Sequence, residues 1–126
     1  LAEALMSINA VKGVEIGSGF AATKMRGSQH NDKIIAQKGK AKFVTNNSGG
    51  IIGGISNGDD IFARIAVKQA SSIEKEQETI NVKVKKASVS VQVRHDPCLC
   101  PRAVPVAEAM VAIVLMDMFL ISKARK

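Results

Sequence analysis

The stretch AVPVAEAMVAIVLMDMFLI, Ala103 to Ile121, decides the fold class. It is apolar at almost every position, and Glu108 and Asp117 are its only charges. They stand nine residues apart, which at about 100° per residue puts them on opposite sides of a helix. The apolar surface is therefore nearly continuous around the axis, and such a helix is buried on several sides. A helix over Ala103–Ser122, sandwiched between other layers, is expected. Two acidic residues inside the stretch make a membrane span costly, so none is expected. The basic end Lys123-Ala124-Arg125-Lys126 suits a helix C-terminus, where cations meet the negative end of the dipole.

Upstream of this helix the period changes from helix to strand. Between Ile80 and Arg94, Val82 and Val84 share one parity, whereas Ala87, Val89, Val91 and Val93 share the other. Register flips at Lys85-Lys86, so a bulge or hairpin turn is expected there. Asp60 to Lys68 alternates as a half-buried strand, with Ile61, Ala63, Ile65 and Val67 inward and Phe62, Arg64, Ala66 and Lys68 outward. Before it comes TNNSGGIIGGISNG, Thr45 to Gly58, with five glycines in fourteen residues. Either the chain turns tightly there, with Ser56-Asn57-Gly58 as the turn, or something comes very close to the backbone. Gly27 to Gly39 is a loop by composition, Phe20 to Met25 a short helix, Val11 to Ile16 a strand and Leu1 to Ile8 a helix. The order predicts an α+β chain, one domain over residues 1–126, with an antiparallel sheet on a long buried helix.

A chain of 126 residues that is 46% apolar can bury a core and is not a disordered tail. With four Phe and no Trp or Tyr, that core must come from aliphatic residues and Met. The formal charge of +7 points to acidic partners: nucleic acid, an anionic surface, or a phosphorylated or carboxylated small molecule. Scattered lysines and missing stacking aromatics count against nucleic acid. The two cysteines, Cys98 and Cys100, read as reduced thiols of a cytosolic protein, since a bridge across that spacing is strained. No signal peptide is visible, and an opening at Leu1 inside a helix-like segment raises the expectation of a longer chain.

The glycine run contains neither GxxxxGK[ST] nor GxGxxG, so it is not a known phosphate-loop fingerprint. Cys98-Leu99-Cys100 with His95 has the wrong spacing for structural zinc, leaves only His30 as a fourth ligand, and gives no support to a Cys98 nucleophile. No metal site is expected. Two strand exits are richer. Lys68-Gln69-Ala70-Ser71-Ser72 brings a cation and hydroxyls, and Arg94-His95-Asp96-Pro97 brings a cation, an imidazole and a carboxylate. Beside a glycine-rich turn, these suit a small-anion pocket. A non-catalytic basic module for nucleic acid or another anion, and a purely structural oligomerisation piece, stay open at this level.

Several stretches together resemble the chorismate synthase family. They are MSINAVKGVEIGSGF at Met6–Phe20, RGSQHND at Arg26–Asp32, TNNSGGIIGGISNG, the Lys68–Ile73 segment, RHDPC at Arg94–Cys98 and RAVPVAEAM at Arg102–Met110. They occur in the family's order over nearly the whole chain. The resemblance covers the family's C-terminal third, without the N-terminal portion that carries its catalytic histidines and several substrate-binding arginines. A fragment that is inactive alone is thus implied, with the missing portion of the same subunit as its first partner.

The resemblance implies a lyase of the shikimate pathway. The reaction is 1,4-elimination of phosphate from 5-enolpyruvylshikimate-3-phosphate to chorismate, with reduced FMN as cofactor and no net redox change. It implies a cytoplasmic, NADPH-linked flavoprotein, a homotetramer, and a β-α-β sandwich of two antiparallel sheets around a helical layer. It implies no nucleic-acid or membrane partner. By position, Asn9, Ala10 and Gly53 match flavin-contacting residues, and Gly53 would let backbone approach the flavin. Lys68, Gln69, Ala70, Ser71 and Ser72 match a flavin-binding loop. Arg94 matches a residue meeting flavin and substrate, and Asp96 an aspartate that works near flavin N5 in taking the substrate's proton. Where the family usually has Pro-Thr this chain has Gln69-Ala70, and Val93 stands where the family usually has Gly. Valine is strained there if the position needs positive φ.

Overall fold

The computed structural model describes residues 1–94 and 98–125. Helix α1 (Ala2–Met6) leads into strand β1 (Val11–Ile16), a 3-10 helix (Gly19–Lys24) and helix α2 (Gly27–His30). Strands β2 (Ile34–Gln37), β3 (Lys40–Phe43), β4 (Ile51–Ile52), β5 (Ile55–Ser56), β6 (Ala63–Val67), β7 (Gln77–Ile80) and β8 (Lys86–Val89) follow. Helix α3 (Cys100–Ala124) closes the order. The strands form four antiparallel two-stranded ladders: β1–β6, β2–β3, β4–β5 and β7–β8. The α+β class holds, with small antiparallel sheets and a C-terminal helix.

The β1–β6 ladder is the centre. It runs from Val11↔Val67 to Ile16↔Ala63, with a bulge at Lys12. Three residues of the face read from the sequence, Ile61, Ile65 and Val67, are half-buried, but Ala63, expected with them, is exposed at the start of β6 along with Phe62, Arg64, Ala66 and Lys68. Helix α1 packs on β1 and on α3. Leu5 (1% exposed) and Val11 (5%) are the buried hydrophobic side chains among the described residues.

Three turns differ from the sequence expectations, each for a conformational reason. The tight turn of the glycine run is Gly53-Gly54, at φ +59° and +80°, not Ser56-Asn57-Gly58. Two consecutive positive φ values make the primed turn whose twist matches a hairpin. Within Gly27–Gly39, expected as loop, Ile34–Gln37 is a strand that pairs with Lys40–Phe43 in a second such hairpin, because Lys38 (φ +51°) and Gly39 (φ +74°) take the same turn. The turn expected at Lys85-Lys86 spans Asn81–Lys85 instead. The Asn81 side chain accepts from the Lys83 and Lys85 amides, and Val84 closes the loop at φ +59°. Val82, read as a strand residue, is therefore fully exposed at 100%.

Helix α3 is longer than expected at both ends. Pro101 sits in its first turn, where no N–H is needed, and Pro105 lies inside it. The expectation of a buried helix is corrected: none of its residues is buried. One stripe, Ala103, Ala107, Met110, Val111 and Val114, is half-buried. An open groove lined by Leu5, Phe62, Ile65, Val104, Ala107 and Val111 separates it from β6. No second layer among the described residues lies on its outer side, where Ile113, Met116, Phe119 and Leu120 are exposed. Among the described residues α3 is also the one helix long and apolar enough to cross a membrane, by length and composition.

Candidate functional site

Helix α1 stops at Ser7, whose hydroxyl donates back to the Ala4 carbonyl (2.7 Å). The chain then reverses through Asn9-Ala10. Ala10 takes φ +68°, a left-handed conformation that a non-glycine residue adopts at a cost of about 1–2 kcal/mol. Its carbonyl accepts the Lys68 backbone N–H at 2.7 Å. That one bond brings Asn9-Ala10 and the start of Lys68–Ser72 together at one end of the β1–β6 ladder. Asn9, Lys68, Gln69 and Ser71 are exposed there, with Ala10, Ala70 and Ser72 half-buried. The Lys68 ammonium has no ion pair among the described residues. A left-handed alanine joined to a lysine and hydroxyls is where backbone strain and polar groups coincide, as they do at binding sites.

Arg94 lies exposed in a cleft with Glu74, Gln92 and Val93. Arg94 is not the strand end expected, since β8 stops at Val89, but Glu74 is two residues past Ser72, so Arg94 opens on the segment that follows Lys68–Ser72. Val93 is not among the described residues with positive φ, so the strain feared for valine does not arise. Asp96, with His95 and Pro97, lies outside the described residues.

Gly53 is not brought to this cluster. It caps the β4–β5 hairpin, which springs from the Gly17 end of β1, opposite Ala10. Its φ of +59° already calls for glycine, and a Cβ built there meets nothing within 4 Å. Here the tight turn accounts for the residue, and the space above it is open.

Asp32 was missed as an organising residue. One carboxylate oxygen accepts from Thr45 Oγ1 (2.7 Å) and the Asn47 amide (2.7 Å), the other from the Ser48 amide (2.8 Å). Asn47 Nδ2 donates to the His30 carbonyl (3.0 Å), and Ser18 donates to Asn47 Oδ1 (3.1 Å). The glycine run is thus anchored to α2 and to the turn after β1. The local signal was the cluster of Asp, Thr, Asn and Ser, residues whose side chains bond backbone. Partial burial pushes the Asp32 carboxyl up, but the bonds from Thr45, Ser48 and Asn47 outweigh it and hold the group down at about 2, below its ordinary 3.8. A depressed carboxylate stabilises the fold above its unfolded value and loses that contribution as pH falls. Stability should therefore drop from about pH 3.8 towards pH 2, and Asp32→Asn should flatten that part of the profile. Thermal melts of both proteins across this range check it; parallel profiles would refute it. Across β1–β6, Glu15 accepts from the Phe20 amide (2.7 Å) and from Arg64 Nε (2.9 Å), which together hold its carboxyl below the ordinary value.

The α+β chain thus brings a left-handed alanine, a lysine and two serines together at one end of the β1–β6 ladder. The family model for chorismate synthase matches residues 1–120, and the chain belongs to the chorismate synthase family. It is 58% identical over 121 residues to chorismate synthase of Archaeoglobus fulgidus, covering 95% of this chain and 34% of that one. To chorismate synthase of Cytophaga hutchinsonii it is 55% identical over 125 residues, covering 98% of this chain and 35% of the relative. The chain thus spans about a third of the length of these curated relatives. A crystal structure of chorismate synthase is similar with a TM-score of 0.51 and 50% identity, over 53% of this chain and 20% of the other.

Proposed function

We propose that this chain forms the flavin- and substrate-facing C-terminal portion of a chorismate synthase. The reaction is the 1,4-elimination of phosphate from 5-enolpyruvylshikimate-3-phosphate. The observation that carries the reading is the bond from the Lys68 amide to the carbonyl of left-handed Ala10, which joins two segments matching the family's flavin contacts. The residues present fit FMN: an ammonium without an ion pair among the described residues, with the Ser71 and Ser72 hydroxyls beyond it, suits a phosphate-bearing ligand. Reduced FMN, if bound here, would supply transient electron donation to a reaction with no net redox change. Asn9 and Ala10, with Lys68, Ser71 and Ser72, would hold FMN, the cation and hydroxyls suiting its phosphate. Gln69 and Ala70 carry the loop between them. Gly53 leaves room for close backbone approach once the rest of the enzyme is in place.

Arg94 presents a forked cation to a carboxylate or phosphate of the substrate, and a fixed positive charge there favours the departing phosphate over the bound ester. Asp96 takes the substrate's proton. The β-α-β sandwich, the homotetramer, the cytoplasmic location and NADPH as reductant belong to the same proposal, supported by family membership. FMN titration of the full-length protein tests it. Lys68→Ala and Arg94→Ala should each weaken FMN by about 10-fold or more, the scale of one lost charge-assisted bond. Anaerobic phosphate release with reduced FMN should fall in parallel. Unchanged FMN affinity in both variants, with binding of polyanions retained, would favour a non-catalytic anion-binding module instead.

A further inference from the structure

Two strand edges carry opposite charge at the same spacing, and neither has a strand partner among the described residues. Ladders β2–β3 and β7–β8 have two strands each, so the outer edges of β3 and β7 present unpaired backbone groups. Residues 33–44 hold four lysines, Lys33, Lys38, Lys40 and Lys42, and no acidic residue. Lys40 and Lys42 stand on one face of β3. Val44 continues that face, its amide donating to the Lys33 carbonyl at 2.8 Å. On β7, Glu78 and Ile80 share a face, and Glu76, one residue before the strand, has the same parity. All six side chains are exposed, Val44 at 55% and Ile80 at 60%. The ion pair among the described residues joins Arg64 to Glu15 and involves none of these four charges.

The signs decide which edges fit together. Like charges directly opposite are destabilising, so β3 rejects a second β3 and β7 rejects a second β7. Lysines on an edge commonly do no more than this. Here an edge of opposite sign stands at the same two-residue spacing. Set side by side in parallel, Lys40 falls opposite Glu76, Lys42 opposite Glu78 and Val44 opposite Ile80. The antiparallel alternative sets Val44 opposite Glu74 and Ile80 opposite Lys38, so the parallel register alone matches both charge and apolarity. Within one copy the two edges belong to separate ladders.

We propose that β3 of one copy of this chain adds in parallel to β7 of a second copy, making a four-stranded sheet β2–β3–β7–β8 across an interface between copies. Main-chain bonds between the edges hold the copies together, and the two Lys–Glu pairs set the partner and the register. Each copy carries both edges, so a two-fold pair of copies can make the contact twice. The inference rests on the reading above only for association between copies; the edges that meet follow from the charge pattern.

Sedimentation velocity of the full-length protein over a dilution series at low salt tests it. Lys40→Glu with Lys42→Glu makes both edges acidic, and Glu76→Lys with Glu78→Lys makes both basic. Each double variant should associate about 10-fold or more weakly than the wild type, the scale of two charge pairs turned from attraction to repulsion. An equimolar mixture of the two should recover wild-type association, because each acidic edge then meets a basic one, and recovery also shows that both variants are folded. Carbodiimide coupling of a mixture of isotope-labelled and unlabelled wild type, followed by peptide mass mapping, should join Lys40 to Glu76 and Lys42 to Glu78 in mixed-isotope pairs. Wild-type assembly in both variants, or a mixture no tighter than its components, would overturn the contact between these edges and leave the flavin reading intact. Couplings confined to one copy would overturn it too, by showing the edges covered within a single chain. A monomeric wild type would overturn the contact and the homotetramer together, while FMN titration of the same samples reads the flavin site separately.

Discussion

Gly50→Ala is expected to cost about 3–5 kcal/mol, whereas Gly53→Ala, three residues on in the same glycine run, should cost only about 1–2 kcal/mol. Both positions have positive φ, +77° and +59°. They differ in what surrounds them. A Cβ on Gly50 would sit 2.6 Å from the Asp60 carbonyl oxygen and 2.9 Å from its carbon, and these are backbone atoms that cannot rotate away. Relieving the overlap moves Gly50 or Asp60, and both are held. The Gly50 amide donates to Asn46 Oδ1 (2.6 Å), Asn46 Nδ2 donates to the Asp60 carbonyl (2.8 Å), and the Asn57 amide donates to the Gly50 carbonyl (3.1 Å). Losing even one of these adds about 1 kcal/mol to the left-handed penalty. At Gly53 nothing stands within 4 Å, so only the conformational penalty applies. Urea unfolding of both variants measures the difference. Equal losses would show that the Gly50–Asp60 contact does not constrain the fold.

Leu5→Ala is the second large effect, about 2–5 kcal/mol. Leu5 is the one fully buried large side chain among the described residues. It sits on α1 and faces the groove shared by Ile61, Phe62, Ile65, Val104 and Val111, so it is the peg between α1, β6 and α3. Little else fills the space it would leave, and α3 rests chiefly on α1. Against a typical stability of about 5–15 kcal/mol, the loss is a large share. Leu120→Ala is the control. Its side chain is 56% exposed on the outer side of α3 and should cost under about 0.5 kcal/mol in the isolated chain. If both truncations cost the same, α3 is not held through Leu5. A large cost for Leu120→Ala only in the full-length protein would show that its outer side is covered there.

Much of this architecture was legible in residue order. Period-two alternation located β1 and β6 and chose the inward face of β6, because a strand with one buried side must repeat every second residue. The nearly unbroken apolar run located α3, and alternation placed Lys68 at the exit of β6, whereas β8 ends at Val89 and leaves Arg94 beyond it. Turns were legible only as places where the chain must bend. Lys38 and Val84 adopt positive φ without being glycine, and Gly53-Gly54 competed with Ser56-Asn57-Gly58 for the same reversal. Composition marks the candidates, but the pairing of the flanking strands selects among them.

By itself the sequence determined the α+β class, the basic character and the apolar helix, because each depends on composition or on local period, and it carried the family through stretches that match in order. Only the tertiary structure decided that Asp32 anchors the glycine run thirteen to sixteen residues away. It alone joined Ala10 to Lys68 across the β1–β6 ladder, and it alone left α3 with one side half-covered and the other bare. These depend on contacts between segments far apart in the chain, and whether a polar or apolar side chain finds a partner is set by what folds against it.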